Sequence, residues 1–354
     1  MKKRKFYHLT TSYLLLTVLF AGCGQQIPNI SSQSSASSQN EQTVKNNSAA
    51  LPSDAGRKDN ITLTDEPERI PGEASVKEEF PENLRDNTPI CLIPSADGIA
   101  ETHNDVASID YSNASCGYVM ANYTGRCPKV KLRITGPDSV VYTYDLHGSD
   151  YETFPLSSGD GSYDVAIYEN ISGTSYSTCL FKQIAVTIED EFMPFLYPNQ
   201  YVNFTNDSKT VMKGMELAFA AENDLEVVTN IYNYMISEIT YDYDKASDPP
   251  TGYTTDVDEI LESGTGICLD YAAVMASMLR SQRIPTRLEV GYAQDAYHAW
   301  ISIYTEETGW LNGIIEFNGS TWTLVDPTFG ANTDDKTLKK FIGNGSNYVL
   351  QKMY

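Results

Sequence analysis

The chain has 354 residues and a formal net charge of −22, with 47 Asp plus Glu against 25 Lys plus Arg. That length exceeds a typical single domain and suffices for two packed cores. The acid excess excludes an electrostatic nucleic-acid surface, which needs clustered Lys and Arg, and it disfavours anionic lipid or wall polymer.

Residues 1–22 read as a secretory signal, with a basic start (Lys2, Lys3, Arg4, Lys5), an apolar run from Tyr13 to Phe20 and small residues before Cys23. The run is too short for a lasting membrane span. Its end, Ala21-Gly22-Cys23, resembles the bacterial lipobox, although Phe20 stands where that pattern usually has Leu. The resemblance implies lipidation of Cys23 and a place on the outer face of a bacterial cell membrane. Four of the 25 basic residues leave with the signal, so 21 remain against 47 acidic residues and the mature net charge is −26. Residues 23–90 follow as a flexible tether. The stretch 24–85 is rich in Ser, Gln, Asn and Pro around ISSQSSASSQNEQ, with too few large apolar side chains to offset the entropy of ordering.

Residues 91–195 alternate with period two. KVKLRITG sets Val130, Leu132 and Ile134 on one face, and SVVYTYDL, SYDVAIYEN and CLFKQIAVTIED follow across turns marked by Gly, Pro and Asp. Short strands at this spacing predict an all-β sandwich of immunoglobulin-like type. Cys91, Cys116, Cys127 and Cys179 all fall here, and an exported chain allows them two disulfides in any of three pairings. They include no C-x-x-C pair, which argues against zinc. His103 and His147 stand apart from other chemical groups and read as surface residues, so the sandwich is a spacer or binding module.

The aromatic, proline-rich DEFMPFLYPNQYVNF (190–204) is expected to pack at a domain junction. Residues 196–354 then change period. Leu225, Val228, Ile231, Tyr232, Met235 and Ile239 repeat every 3.6 residues, with Asp224 as the expected N-cap. The helix DVDEILES and a helix beginning near Cys268 come next. Beyond Pro285 the period returns to two in RLEVGYA, YHAWISIY, GIIEFNG and TWTLVDPTF. Helices followed by antiparallel strands predict an α+β domain.

This domain holds one concentration of reactive groups. Cys268 follows Gly264 and Gly266 and opens the helix, where unpaired N–H groups and the helix dipole favour a thiolate and could hold an oxyanion. A cysteine nucleophile needs a base, and that base needs an orienting acceptor. His298 is the only histidine in the domain, and Asp326 lies one strand later, before Pro327. Each residue alone has an ordinary structural role; together they supply nucleophile, base and orienter. Trp300 shares a strand face with His298 by period two.

GTGICLDYAAVMASMLRSQRIP, then YHAW, then VDPTF resemble the transglutaminase-like superfamily. The shared features are a Gly-x-Cys-x-x-Tyr-Ala helix start, a His-Ala-Trp strand and an Asp-Pro-Thr turn, in that order. The upstream ITYDYDKA and the D-x-x-L-x-x-G-x-G-x-C lead-in fit bacterial members. The likeness spans about residues 210–335 and leaves the tether and sandwich outside it. It implies a papain-like cysteine peptidase fold with Cys268 as nucleophile, His298 as base and Asp326 as orienter. A second oxyanion donor is not fixed by the pattern; Tyr253, in the preceding loop, is a candidate. Calcium serves animal members, but YDYDKASD, with Asp242, Asp244 and Asp248, lacks the Gly and Glu of an EF-hand loop and reads as a tyrosine-rich turn.

The expected protein is a monomer with no cofactor and no metal, joined to the membrane only by its N-terminal lipid. It acts on peptide or isopeptide amides of a peptide or protein substrate, cell-wall peptide included. Hydrolysis is favoured over protein-glutamine transamidation, and a non-catalytic binding protein is the third reading.

Overall fold

A computed structural model describes residues 84–148, 150–293, 296–311, 315–317, 322–324 and 348–354. All of them fall in one compact unit, Val76–Tyr354. Cys23 and Asp326 lie outside the described residues. Among the described residues no helix is long and apolar enough to cross a membrane.

The first half is built from strands β1 (Glu101–His103), β2 (Ala107–Asp110), β3 (Tyr118–Tyr123), β4 (Val130–Thr135), β5 (Val141–Leu146), β6 (Glu152–Pro155), β7 (Gly161–Ser172) and β8 (Ser175–Val186). They form two antiparallel sheets, β1-β2-β3-β6 and β5-β4-β7-β8. Alternation explains the two-layer arrangement. In β4, Val130, Leu132 and Ile134 are buried while Arg133 is exposed, so one face of each sheet must find an apolar partner. Ile109, Val119 and Phe154 from one sheet share a core with Leu132, Tyr144 and Ile167 from the other, and the rings of Tyr144 and Phe154 meet at 4.9 Å.

Cys91, Cys116, Cys127 and Cys179 are free thiols. The Cys127 sulfur is turned to the main-chain oxygens of Lys129 and Asn170, while that of Cys179 accepts from Asn104 at 3.8 Å. Burial pushes the Cys91 and Cys179 thiols up, which leaves them less reactive. His103 and His147 are surface residues beside Glu101 and Glu152, at 3.8 and 3.1 Å.

The second half begins with helix α1 (Lys209–Leu217), α2 (Asp224–Glu238), the two-residue strand β9 (Thr240–Tyr241) and α3 (Tyr243–Ser247). Then come α4 (Val257–Ser263), strand β10 (Thr265–Gly266) and α5 (Cys268–Ser281). The remaining strands are β11 (Thr286–Ala293), β12 (Ala296–Thr305), β13 (Gly309–Leu311), β14 (Ile315–Phe317), β15 (Trp322–Leu324) and β16 (Tyr348–Met353). The main sheet runs β13-β12-β11-β16, all antiparallel, and β14 pairs with β15. Helix α2 buries Leu225, Val228, Ile231, Tyr232 and Met235, as its period predicts, but its N-cap is Asn223, whose side chain accepts from the Glu226 N–H. Asp224 is instead the first helical residue and pairs with Arg85. The stretch read as a tyrosine-rich turn is helix α3, capped by Asp242.

The segment 190–204 bridges the two halves through its rings. Tyr197 meets Tyr118 of β3 at 4.7 Å, and Tyr201 meets Tyr354 at 4.2 Å. Phe195 packs edge-on against Trp310 of β13 at 5.6 Å. Arg280, fully buried near the end of α5, donates to the main-chain oxygens of Tyr197, Thr286 and Tyr354. Burial lowers its pKa to about 9. One side chain thus fastens the junction, the long helix and the sheet together.

Candidate active site

Two paired strands set the position of Cys268. Strands β9 and β10 run parallel, with Thr265 beside Thr240 and Gly266 beside Tyr241, and each leads straight into a helix, β9 into α3 and β10 into α5. Gly264 ends α4 at φ +63°, a left-handed conformation that suits glycine. At Gly266 a side chain is excluded, because a Cβ there would lie 2.7 Å from the Cβ of Asp270. Ile267 is the N-cap and Cys268 the first residue of α5. Its side chain is half-buried at the rim of the core. First-turn N–H groups point beyond a helix end and, with the helix dipole, favour an anion there.

Two residues after the cysteine, Asp270 is completely buried, and both carboxylate oxygens accept two hydrogen bonds. Oδ2 accepts from the Ile267 N–H and from Lys245 Nζ, each at 2.9 Å. Oδ1 accepts from the Tyr253 hydroxyl at 2.6 Å and the Thr255 hydroxyl at 2.7 Å. Lys245 also donates to Tyr253. Burial disfavours the Lys245 ammonium, but its bonds to Tyr253 and Asp270 outweigh that and hold its pKa above the usual lysine value. Burial, with the Asp270 carboxylate adding to it, pushes Tyr253 up to about 12. The Tyr253 proton is given to Asp270 rather than turned to a substrate, so the structure does not offer it as the second oxyanion donor.

His298 sits in β12 opposite Gly291 of β11 and is buried, with 7 % exposure. Its ring lies near-parallel to that of Trp300, with centroids 6.3 Å apart and planes at 24°, the shared face that period two predicts. Trp300 Nε1 and the Ser302 hydroxyl both donate to Glu289 Oε2, at 2.6 and 2.7 Å. Burial holds the Glu289 carboxyl above the usual range, against those two bonds and the nearby Arg287. Helix α5 packs on β11 and β12. Burial raises the pKa of Tyr297, and the neighbouring Tyr292 and Cys268 raise it further. Cys268, the first residue of α5, and His298, in β12, thus lie on two elements that pack together.

Two open clefts of about 580 and 850 Å³ run beside the sandwich, and among the described residues neither is lined by Cys268 or His298. Among the described residues no group of three His, Cys, Asp or Glu could hold a metal ion.

Residues 215–313 match the family model described as the transglutaminase-like superfamily. That range contains Cys268 and His298 and ends before Asp326. A 118-residue stretch is 28 % identical to a protein-glutamine gamma-glutamyltransferase of Pseudomonas aeruginosa, covering 28 % of this chain and 16 % of that one. The chain thus spans about one sixth of the length of this curated relative. Two solved structures are also similar. A candidate cysteine protease from Cytophaga hutchinsonii has TM-score 0.35 and 12 % identity over 72 % of this chain and 74 % of its own. The red sea bream transglutaminase has TM-score 0.27 and 15 % identity over 61 % of this chain and 48 % of its own. With the helix-borne cysteine and the strand-borne histidine in one matched stretch, residues 215–313 carry a transglutaminase-like domain.

Proposed function

We propose that the protein is a cysteine-dependent acyl-transfer enzyme that hydrolyses peptide or isopeptide amides. The observation that carries this reading is Cys268 as the first residue of α5, a helix that packs on β12, the strand bearing His298. The Cys268 sulfur attacks the amide carbon and the carbonyl oxygen becomes an oxyanion, held by N–H groups of the first helical turn. His298 takes the thiol proton and passes it to the leaving amine as the C–N bond breaks. Water, deprotonated by the same imidazole, then attacks the thioester, releases the carboxylic acid and restores the thiol. Asp326 is proposed as the acceptor that orients the imidazole.

Transamidation is the second reading, favoured by the name of the Pseudomonas relative. It shares the acyl-enzyme and replaces the final water with a primary amine. The N-terminal module is read as immunoglobulin-like, a view supported by the strand orders β1-β2-β3-β6 and β5-β4-β7-β8. The leader sequence supports export and lipid anchoring at Cys23, with the tether holding the two modules off the membrane.

The test uses the full chain, glutamine-containing and wall-derived peptides, and a tagged primary amine. Wild type is expected to produce new peptide termini without amine incorporation, and C268A to produce none. Ammonia release with incorporation would move the assignment to transamidation. No turnover by wild type, together with polymer binding that survives C268A, would overturn the enzyme reading.

A further inference from the structure

The pairing of β9 with β10 places the N-terminal ends of α3 and α5 side by side. Three of the four donors to Asp270 come from the segment that α3 begins: Lys245 in the helix, and Tyr253 and Thr255 after it. The fourth is the N-cap N–H of α5 itself. A buried carboxylate two residues from the thiol has two opposing effects. Its bond to Ile267 fixes the helix start, but its negative charge disfavours a thiolate nearby. Lys245, at 2.9 Å and half-buried, supplies the opposite charge.

We propose that Lys245 is a positioning residue for Cys268: it neutralises Asp270 and locks it onto the Ile267 N–H, so that the first turn of α5 presents the thiol without an opposing field. The inference rests on Cys268 being the nucleophile. The charged and titratable groups on the elements that meet α5 near its start then come from three places. Asp270 is on its own helix, Lys245 and Tyr253 are on α3 and the loop beyond it, and Tyr297 and His298 are on β12. Lys245 is the cation that the α3 segment contributes to this set. Lys245 lies in the upstream stretch ITYDYDKA, and its chain position, 23 residues before Cys268, gives no hint of its contact with Asp270.

The experiment measures iodoacetamide alkylation of Cys268 from pH 5 to 9 in the full chain, by peptide mass spectrometry, so that Cys91, Cys116, Cys127 and Cys179 are counted separately. Folding of each variant is checked by circular dichroism. K245M is expected to move the alkylation midpoint to higher pH and slow the reaction at pH 7 by about tenfold. K245R, which keeps the charge, is expected to restore most of the rate. A K245M protein that is folded, less stable and alkylated with the wild-type profile would overturn the proposal, since that is what a purely structural lysine would do. Should K245M fail to fold, Y253F reads the other oxygen of Asp270. It is expected to shift the midpoint in the same direction by less, and an unchanged profile would overturn the proposal. If wild-type Cys268 reacts no faster than the other thiols, it is the nucleophile reading that fails.

Discussion

The two halves of the molecule bury different chemistry. The sandwich closes on aliphatic and aromatic side chains, and its buried carboxylate, Asp110, is satisfied by main-chain N–H groups of Gly98 and Ser112. The α+β half buries Asp270, Arg280, Glu289 and His298 within one helix and two strands. Burying a charge costs several kcal/mol unless it is paired and hydrogen-bonded. The sandwich could therefore tolerate many apolar rearrangements, whereas the α+β half depends on particular partners. Its charged side chains join elements that lie far apart in sequence: Asp270 joins α5 to α3, Arg280 joins α5 to the junction and the sheet, and Glu289 joins β11 to β12.

The largest expected effect tests that dependence. Asp270→Ala leaves the Lys245 ammonium, two hydroxyls and a helix N-cap N–H without their acceptor, and should cost about 4 kcal/mol of unfolding free energy in urea. A loss under about 1 kcal/mol would mean that the four bonds are incidental. In the sandwich, Leu132→Ala removes a fully buried apolar side chain and should cost about 3 kcal/mol. Here the folded protein should keep wild-type alkylation of Cys268. A slower thiol in folded Leu132→Ala would join the two halves more closely than this division allows.

How far the sequence reveals the site follows the same line. The Gly-x-Gly-x-Cys pattern marks a helix start and the structure begins α5 at Cys268, while the apolar period after it marks the buried face. YHAWISIY reads as a strand, and His298 and Trp300 share a face as alternation requires. Asp270 was visible as an acid at the third helical position, but its cap partner is Ile267 rather than Ser or Thr, so the usual capping pair gives no signal. Lys245 was hidden more deeply, because YDYDKASD looks like a turn and its contact depends on two-residue strands too short to register as alternation. Helix α1, KTVMKGMEL, carries Gly214 at mid-helix, a poor helix former that the sequence alone counts against it, and that glycine lies close against Met278 of α5. The spacing of the four sandwich cysteines leaves three pairings open, and it does not foretell that the Cys127 sulfur faces the carbonyl oxygens of Lys129 and Asn170.

The smallest expected effect separates a charge kept for structure from one that merely persists. Glu289 is buried under Trp300 and Ser302, and burial raises its folded pKa above the usual glutamate value. A raised carboxyl pKa favours the protonated form in the folded state. Its stabilising contribution is therefore fully present below the unfolded pKa and is lost as pH rises through the folded value. At neutral pH the wild type carries the cost of a buried carboxylate that a neutral amide would not. Gln at this position keeps an oxygen to accept from the indole and the hydroxyl. Glu289→Gln should thus be no more stable than wild type at pH 4, and should gain relative to it as pH climbs, levelling off once wild-type Glu289 is ionised. Urea denaturation of both proteins at half-unit steps from pH 4 to 8 reads the difference directly. A difference that stays flat across the range would show that Arg287 and the two hydrogen bonds fully offset the burial, and that the α+β half tolerates this charge as easily as the sandwich tolerates Asp110.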